Sequence, residues 1–220
     1  DAPTVTMQRL KALTTGGLPT FFDVSDNFDS SRIEEDNLVD GWARQNRSLV
    51  FMGDDTWTAL FPTAFRRAYP FPSFNVKDIH TVDNGVLANV YDELDGARGD
   101  WDVLVAHFLG VDHVGHRNTA NSRVMREKLD QMNEAMANLT ARIDDDTLLV
   151  VMGDHGQTAS GNHGGDTDDE VTAGLFVYSP GRTLVPAGAP VGKAVAQIDL
   201  VPTLAALVGS PVPFGNLGRP

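Results

Sequence analysis

Two short clusters carry the side chains best suited to chemistry in this chain: Gly110-Val111-Asp112-His113-Val114-Gly115-His116 and Gly153-Asp154-His155-Gly156. Asp112 and His116 stand four apart, so one helical turn aims both the same way, as two ligands of one cation require. Asp154 and His155 are adjacent and converge only where the backbone turns sharply, for which Gly153 and Gly156 offer a permissive backbone. A further histidine, His163, lies in Ser160-Gly161-Asn162-His163-Gly164-Gly165, where glycines allow close approach to an ion. Carboxylate and imidazole donors suit Zn2+, with Mn2+ a reasonable substitute. An Asp-x-x-x-His pair alone is usually solvated, and a lone histidine is more often a hydrogen-bonded structural residue. Two Asp-His sets together with a glycine-flanked histidine favour metal binding. His80 and His113 are read as supporting or leaving-group residues and His107 as structural, none of them as a ligand.

The elements that must position these groups are legible from periodicity. Apolar runs at 48–52, 102–108 and 147–152 read as buried parallel strands, with a weaker fourth at 174–178. Each of the two Asp-His clusters follows one of these runs, so in a parallel sheet both emerge at the same edge. Between the runs lie helical patterns. The clearest sets Met125, Leu129, Met132, Met136, Leu139 and Ile143 on one face, which is the stripe of a helix packing on a sheet. A pattern at 32–45 turns Ile33, Leu38, Val39 and Trp42 inward, and one at 198–208 does the same with Leu200, Leu204 and Leu207. Strands alternating with helices predict an α/β/α layered domain with a mostly parallel central sheet, whose ligands gather beyond the carboxyl ends of the strands. Pro-rich stretches at 69–73 and 211–213 read as loops.

Length and composition bound the rest. The 220 residues, 41% of them hydrophobic, suit one domain with a sizeable core. A net charge of -13 argues against nucleic acid as a partner and is compatible with metal cations. With no cysteine, any metal must be held by Asp, Glu or His. Nothing approaches the run of about 18 apolar residues that spans a bilayer. Two sequons, Asn46-Arg47-Ser48 and Asn138-Leu139-Thr140, would permit glycosylation in a secretory compartment. The opening segment reads as a turn, a helix and a stop at Gly16, with Thr6 at the helix N-terminus. There the hydroxyl could act as a nucleophile while free amides receive a phosphate. On the residues alone, an ordinary N-cap is the favoured reading of Thr6.

The whole pattern resembles the alkaline phosphatase superfamily, in which a Thr or Ser nucleophile lies between two metals. In its nucleotide pyrophosphatase-like branch the nucleophilic Thr precedes a helix ending in Thr-Gly, as Thr6 does with Thr15-Gly16. The resemblance therefore implies Thr6 rather than Thr4 as the nucleophile. It also implies that Asp112, His116 and His163 hold one ion while Asp154, His155 and Thr6 hold the other. A closer similarity runs over nearly the whole chain. Thr6-Met7-Gln8-Arg9-Leu10-Lys11, Phe51-Met52-Gly53-Asp54-Asp55-Thr56-Trp57, Pro70-Phe71-Pro72-Ser73-Phe74-Asn75-Val76, His80-Thr81-Val82-Asp83-Asn84 and His107-Phe108-Leu109-Gly110-Val111-Asp112-His113 resemble the GPI ethanolamine phosphate transferases. His163-Gly164-Gly165-Asp166, Leu200-Val201-Pro202-Thr203-Leu204 and Pro213-Phe214-Gly215-Asn216 resemble the type acting on the third mannose better than those acting on the first or second.

What this resemblance implies is transfer of phosphoethanolamine from phosphatidylethanolamine to a mannose of the GPI precursor, through a covalent Thr6 intermediate and two divalent ions. It implies the endoplasmic reticulum membrane, with the catalytic domain in the lumen, and admits a small membrane-protein subunit as partner. It also leads us to expect an upstream strand ending in a further metal-ligand Asp, and a membrane region downstream, neither of which lies within residues 1–220. With that Asp missing, the second site of the segment alone should bind weakly. The Asp54-Asp55-Thr56-Trp57 turn is read evenly as an ammonium-binding feature or a solvated turn. Two rivals stand beside the transferase: a phosphodiesterase or phosphatase of the same superfamily, and a catalytically silent module of a membrane complex.

Overall fold

The computed structural model describes residues 2–19, 32–96, 99–185 and 192–220. Its centre is β1, Leu49–Asp54, whose Leu49, Val50, Phe51 and Met52 are all fully buried. Strand β1 pairs in parallel with β2, Arg67–Phe71, on one side and with β3, Val103–His107, on the other, giving the order β2-β1-β3. Because side chains alternate along a strand, β1 feeds two separate cores. Leu49 and Phe51 enter one, with Leu10 of α1 (Thr6–Thr15), Leu38, Val39 and Trp42 of α2 (Leu38–Arg44), Trp57 and Leu60 of α3 (Thr56–Leu60), and Val201 and Ala205 of the C-terminal helix (Leu200–Val208). Val50 and Met52 enter the other, with Val86 and Val90 of α4 (Thr81–Leu94) and Leu139 of α6 (Arg123–Thr140). Helices thus cover both faces of a parallel sheet, as the alternation of strands and helices predicted. Each large apolar side chain so buried contributes about 1.5–3 kcal/mol.

Several elements differ from their sequence reading. The stretch 69–73, read as a loop, contributes the end of β2; Pro70 is tolerated because β2 is an edge strand and needs to donate on one side only. The helix expected over 32–45 begins only at Leu38, where Asn37 accepts a hydrogen bond from the Asp40 amide at 2.8 Å and fixes the start; Ile33 is buried without being helical. The C-terminal helix buries Val201 and Ala205 fully, packs Leu204 partly buried against the same core as expected, and leaves Leu207 exposed. Along α6, Leu129 of the expected stripe is exposed and Lys128 is buried instead.

The largest difference concerns β4, Leu149–Met152. It pairs antiparallel with β5, Leu175–Tyr178, in a separate two-stranded sheet, and among the described residues it makes no ladder with β1–β3. Strand β4 is half-buried and β5 exposes Leu175, Phe176 and Val177. The strict parallel reading therefore holds for β1–β3 and fails for β4 and β5, whose apolar composition cannot by itself reveal strand direction.

Candidate metal centre

The site begins where β3 ends. Three residues after His107 the chain enters α5, Gly110–Asn118, and the four-residue spacing does what the sequence suggested: Asp112 Oδ2 and His116 Nε2 lie 3.5 Å apart. From the other side His163 brings Nε2 to 3.2 Å from Asp112 Oδ1 and 2.9 Å from His116 Nε2. One ligand atom from each of Asp112, His116 and His163 lies within 4.8 Å of the other two, a carboxylate and two imidazoles converging as the donors of one divalent ion do. His163 is oriented by its other nitrogen, Nδ1, which donates to the Thr4 carbonyl, so that Nε2 faces the cluster.

The second pair sits just past β4. His155 stacks on His163 with ring centroids 3.9 Å apart and an interplanar angle of 23°. Its Nδ1 donates to the Gly156 carbonyl at 2.9 Å, and its Nε2 lies 3.4 Å from Asp154 Oδ2. That oxygen is buried and has no hydrogen-bond partner in the structure. A buried carboxylate oxygen without a donor is costly, and a cation beside it would remove the cost. The structure therefore brings Asp112, His116, His163, Asp154 and His155 into one neighbourhood, although β4 lies outside the parallel sheet. Contrary to the backbone freedom expected of them, neither Gly153 nor Gly156 has a positive φ. Gly156 is required by space, since a Cβ there would overlap the Asp169 and Thr172 carbonyls, while beside His163 it is Gly164, at φ 116°, that needs the left-handed region.

Thr6 is the first residue of α1. The N-cap is Val5, which offers no side-chain acceptor, and the first turn contains no acidic residue. The start of α1 thus combines a positive dipole end with an N-cap residue that makes no side-chain capping bond, which suits a phosphate. Thr4 has a different role: it is fully buried, its hydroxyl donates to the Gly165 carbonyl at 3.0 Å and accepts from the Gly164 amide at 2.6 Å. These bonds tie the residues just before α1 to the His163 loop.

The charges are coupled in a consistent way. Burial alone would raise the Asp112 carboxyl, but the hydrogen bond and charge of His163, with His116 and His155 behind it, hold it at about 2. Burial pushes His116 down, outweighing the pull of Asp112. On His163 burial acts downward too, yet the bond to Asp112 and its charge win and the pKa is raised.

Other residues take positions that spacing does not reveal. Gln157 Nε2 donates to Asp112 Oδ1 at 2.7 Å and to the Asp112 carbonyl at 3.2 Å. The local signal for it is Gly115, where a Cβ would overlap the Gln157 amide. Gln197 bridges Arg9 and the Asp154 carbonyl, accepting from Arg9 Nη1 at 2.8 Å. His113 is buried on the Asp78 carbonyl at 2.7 Å, His80 is exposed at the start of α4, and His107 Nδ1 accepts from Trp57 Nε1 at 3.0 Å. Ser73 donates to Asp55 at 2.7 Å and Asp54 accepts from the Thr56 amide at 2.8 Å, so the 54–57 turn is internally bonded.

The model of the type I phosphodiesterase / nucleotide pyrophosphatase family matches residues 3–193. The chain is 54% identical over 219 residues to the human GPI ethanolamine phosphate transferase 3, catalytic subunit, covering 100% of this chain and 20% of that protein. It is 46% identical to GPI ethanolamine phosphate transferase 3 of Saccharomyces cerevisiae, covering 100% of this chain and 23% of that protein. To GPI ethanolamine phosphate transferase 2 of the same yeast it is 38% identical, covering 99% and 30%. The chain thus spans about a fifth of the length of the type 3 relatives, and the resemblance read from its motifs extends along all of it. Among solved structures, a 2-O GAG sulfatase matches with a TM-score of 0.70 at 15% identity, covering 99% of this chain and 63% of that one. The lipoteichoic acid synthase LtaP from Listeria monocytogenes matches with a TM-score of 0.60 at 13% identity, covering 97% and 62%. At such identities these two speak for the fold alone.

Proposed function

The chain belongs to the type I phosphodiesterase / nucleotide pyrophosphatase family, and on that premise we propose that it carries the catalytic residues of a GPI ethanolamine phosphate transferase of the third-mannose type. The observation that carries this reading is the convergence of Asp112, His116 and His163 next to the Asp154–His155 pair, tied through Thr4 to the start of α1. Asp112, His116 and His163 would hold one divalent ion and Asp154, His155 and Thr6 another, Zn2+ fitting the donors best and Mn2+ serving in its place. When bound, such ions supply positive charge for a phosphoryl oxygen and for ionising an alcohol.

The residues of the chain supply the rest. Thr6 Oγ attacks the phosphorus of phosphatidylethanolamine; the bond to the glycerol oxygen breaks, and diacylglycerol leaves with the proton given up by Thr6. A mannose hydroxyl of the GPI precursor then attacks the same phosphorus, and its proton returns to Thr6 Oγ as the phosphoester to the enzyme breaks. The amides at the start of α1 receive the phosphoryl oxygens in both steps. Thr4 and Gln157 hold His163 and Asp112 in place while this happens.

The same reading assigns the domain to the lumen of the endoplasmic reticulum. Asn46 is exposed in a turn and available for glycosylation, whereas Asn138 lies within α6. No helix among the described residues is long and apolar enough to cross a membrane, and the same reading places the membrane-spanning part in regions outside residues 1–220. The test uses the full-length protein with ethanolamine-labelled phosphatidylethanolamine and a mannosylated GPI precursor. Label on the third mannose supports the transferase. Release of phosphoethanolamine to water at a comparable rate favours a hydrolase, and no turnover of the loaded protein favours a silent module.

A further inference from the structure

We infer that Asp83 and Lys128, a buried ion pair outside the ligand cluster, are positioning residues that set where helix α5 begins and hence where Asp112 and His116 stand relative to His163. The inference rests on the metal reading of the site given above. Helix α5 lacks a cap of its own, because its N-cap is Leu109 and no side chain nearby in sequence accepts the first amides. Asp83, from α4, does so across the fold: its Oδ1 accepts from the Leu109 and Gly110 amides, both at 2.9 Å. Its other oxygen takes Lys128 Nζ of α6 at 2.8 Å, and the same ammonium donates to Gln131 Oε1 at 2.7 Å.

Asp83 and Lys128 are 1% and 3% exposed. Taking both charges out of water is expensive enough that well-packed apolar residues would serve stability as well. A carboxylate can do one thing that an apolar residue cannot, which is to accept two amides at a fixed point, and Lys128 neutralises it there. The fit is close, since a Cβ on Gly110 would overlap Asp83 Oδ2 and crowd Lys128 Nζ. Asp112 follows Gly110 by two residues and His116 lies one turn further on, whereas His163 is held separately by the Thr4 carbonyl. Displacing the first turn of α5 therefore moves two donors against a third that stays.

The test is calorimetric titration of Zn2+ and Mn2+ into the chelator-stripped full-length protein, with melting temperature read in parallel. Asp83→Ala and Gly110→Ala should each weaken the tighter site about 10- to 100-fold, the range found when groups that orient a metal ligand are removed. The double variant Asp83→Asn/Lys128→Met keeps the amide acceptor without the charges and should bind within about threefold of wild type. Glu93→Gln serves as the control. Its carboxylate pairs with Arg67 at 2.6 Å and is equally buried, but it ties α4 to β2 rather than to α5. It should lower the melting temperature and leave metal affinity unchanged. Unchanged affinity in Gly110→Ala, or in Asp83→Ala where it folds, would overturn the positioning role while leaving the metal reading intact. Failure of the wild-type protein to take up either ion would overturn both.

Discussion

Asp112 and His116 ride on a nine-residue helix whose start is pinned by a buried carboxylate, and they meet a His163 whose ring is fixed from behind. Asp154 and His155 sit instead in a loop that follows a half-buried strand, next to a β5 whose Phe176 is 52% exposed, and one Asp154 oxygen has no donor. The first group is a nearly complete donor set arranged before any ion arrives; the second is a pair that needs further ligands. Preorganisation lowers the cost of binding, so within residues 1–220 the two halves should differ in affinity, with the α5 side tight and the β4 side weak.

The sharpest way to break that comparison is to remove a donor from the tight half. Asp112→Asn in the full-length protein should abolish binding at the tighter site and reduce transfer by about 1,000-fold or more, since charge stabilisation of this kind is commonly worth 10²–10³ per group. Steady-state transfer with titrated Zn2+ measures it, and activity within tenfold of wild type would dissolve the distinction between the halves. Asp154→Asn should act on the other half alone, weakening only the second binding phase and leaving the first phase in place. Loss of both phases together would mean that the halves form a single coupled site.

Gln157→Ala comes next. It removes the Gln157 hydrogen bonds that orient Asp112 without removing a metal ligand and should weaken the tighter site about tenfold, again read by titration. A smaller effect should appear in the metal-free protein as pH changes. His163 is raised in the folded protein by Asp112, so their interaction stabilises fully below about 6.5 and is lost as pH rises through the folded value. Asp112 is held at about 2 against an ordinary 3.8, so on the acid side the same interaction is present above 3.8 and lost towards 2. The difference in melting temperature between wild type and Asp112→Asn, measured in chelator, should therefore narrow from pH 6 to pH 8. A widening difference would contradict the assigned coupling. The smallest effect is expected away from both halves. Trp57→Phe removes the hydrogen bond to His107 but keeps an aromatic ring against Phe51, and should cost about 1 kcal/mol of stability with no change in metal affinity.

The parts of this architecture that could be read from the chain share one property: their cause is local. A run such as 48–52 is apolar on both faces because it is buried on both, and the Asp112–His116 spacing needs only one turn of helix to become a ligand pair. What could not be read depends on contacts between distant segments. Strand β2 was hidden by Pro70, which is acceptable only on an edge, and the edge is a property of the sheet rather than of the strand. The direction of β4 and β5 is set by which strand each meets. Thr4, Gln157 and Asp83 act on donors between 26 and 159 residues away in sequence, so no spacing rule reaches them. Small residues at Gly110 and Gly115 were the only trace, and they mark the close approach without naming the partner.

The most direct test of the central claim is to trap the protein part-way. Full-length protein loaded with Zn2+ is incubated with phosphatidylethanolamine in the absence of any mannolipid, quenched in acid and digested, and the peptides are read by mass spectrometry. The account predicts a phosphoethanolamine adduct on Thr6 that disappears when the GPI precursor is added and never forms in Thr6→Ala. An adduct on another residue, or undiminished transfer by Thr6→Ala, would contradict it.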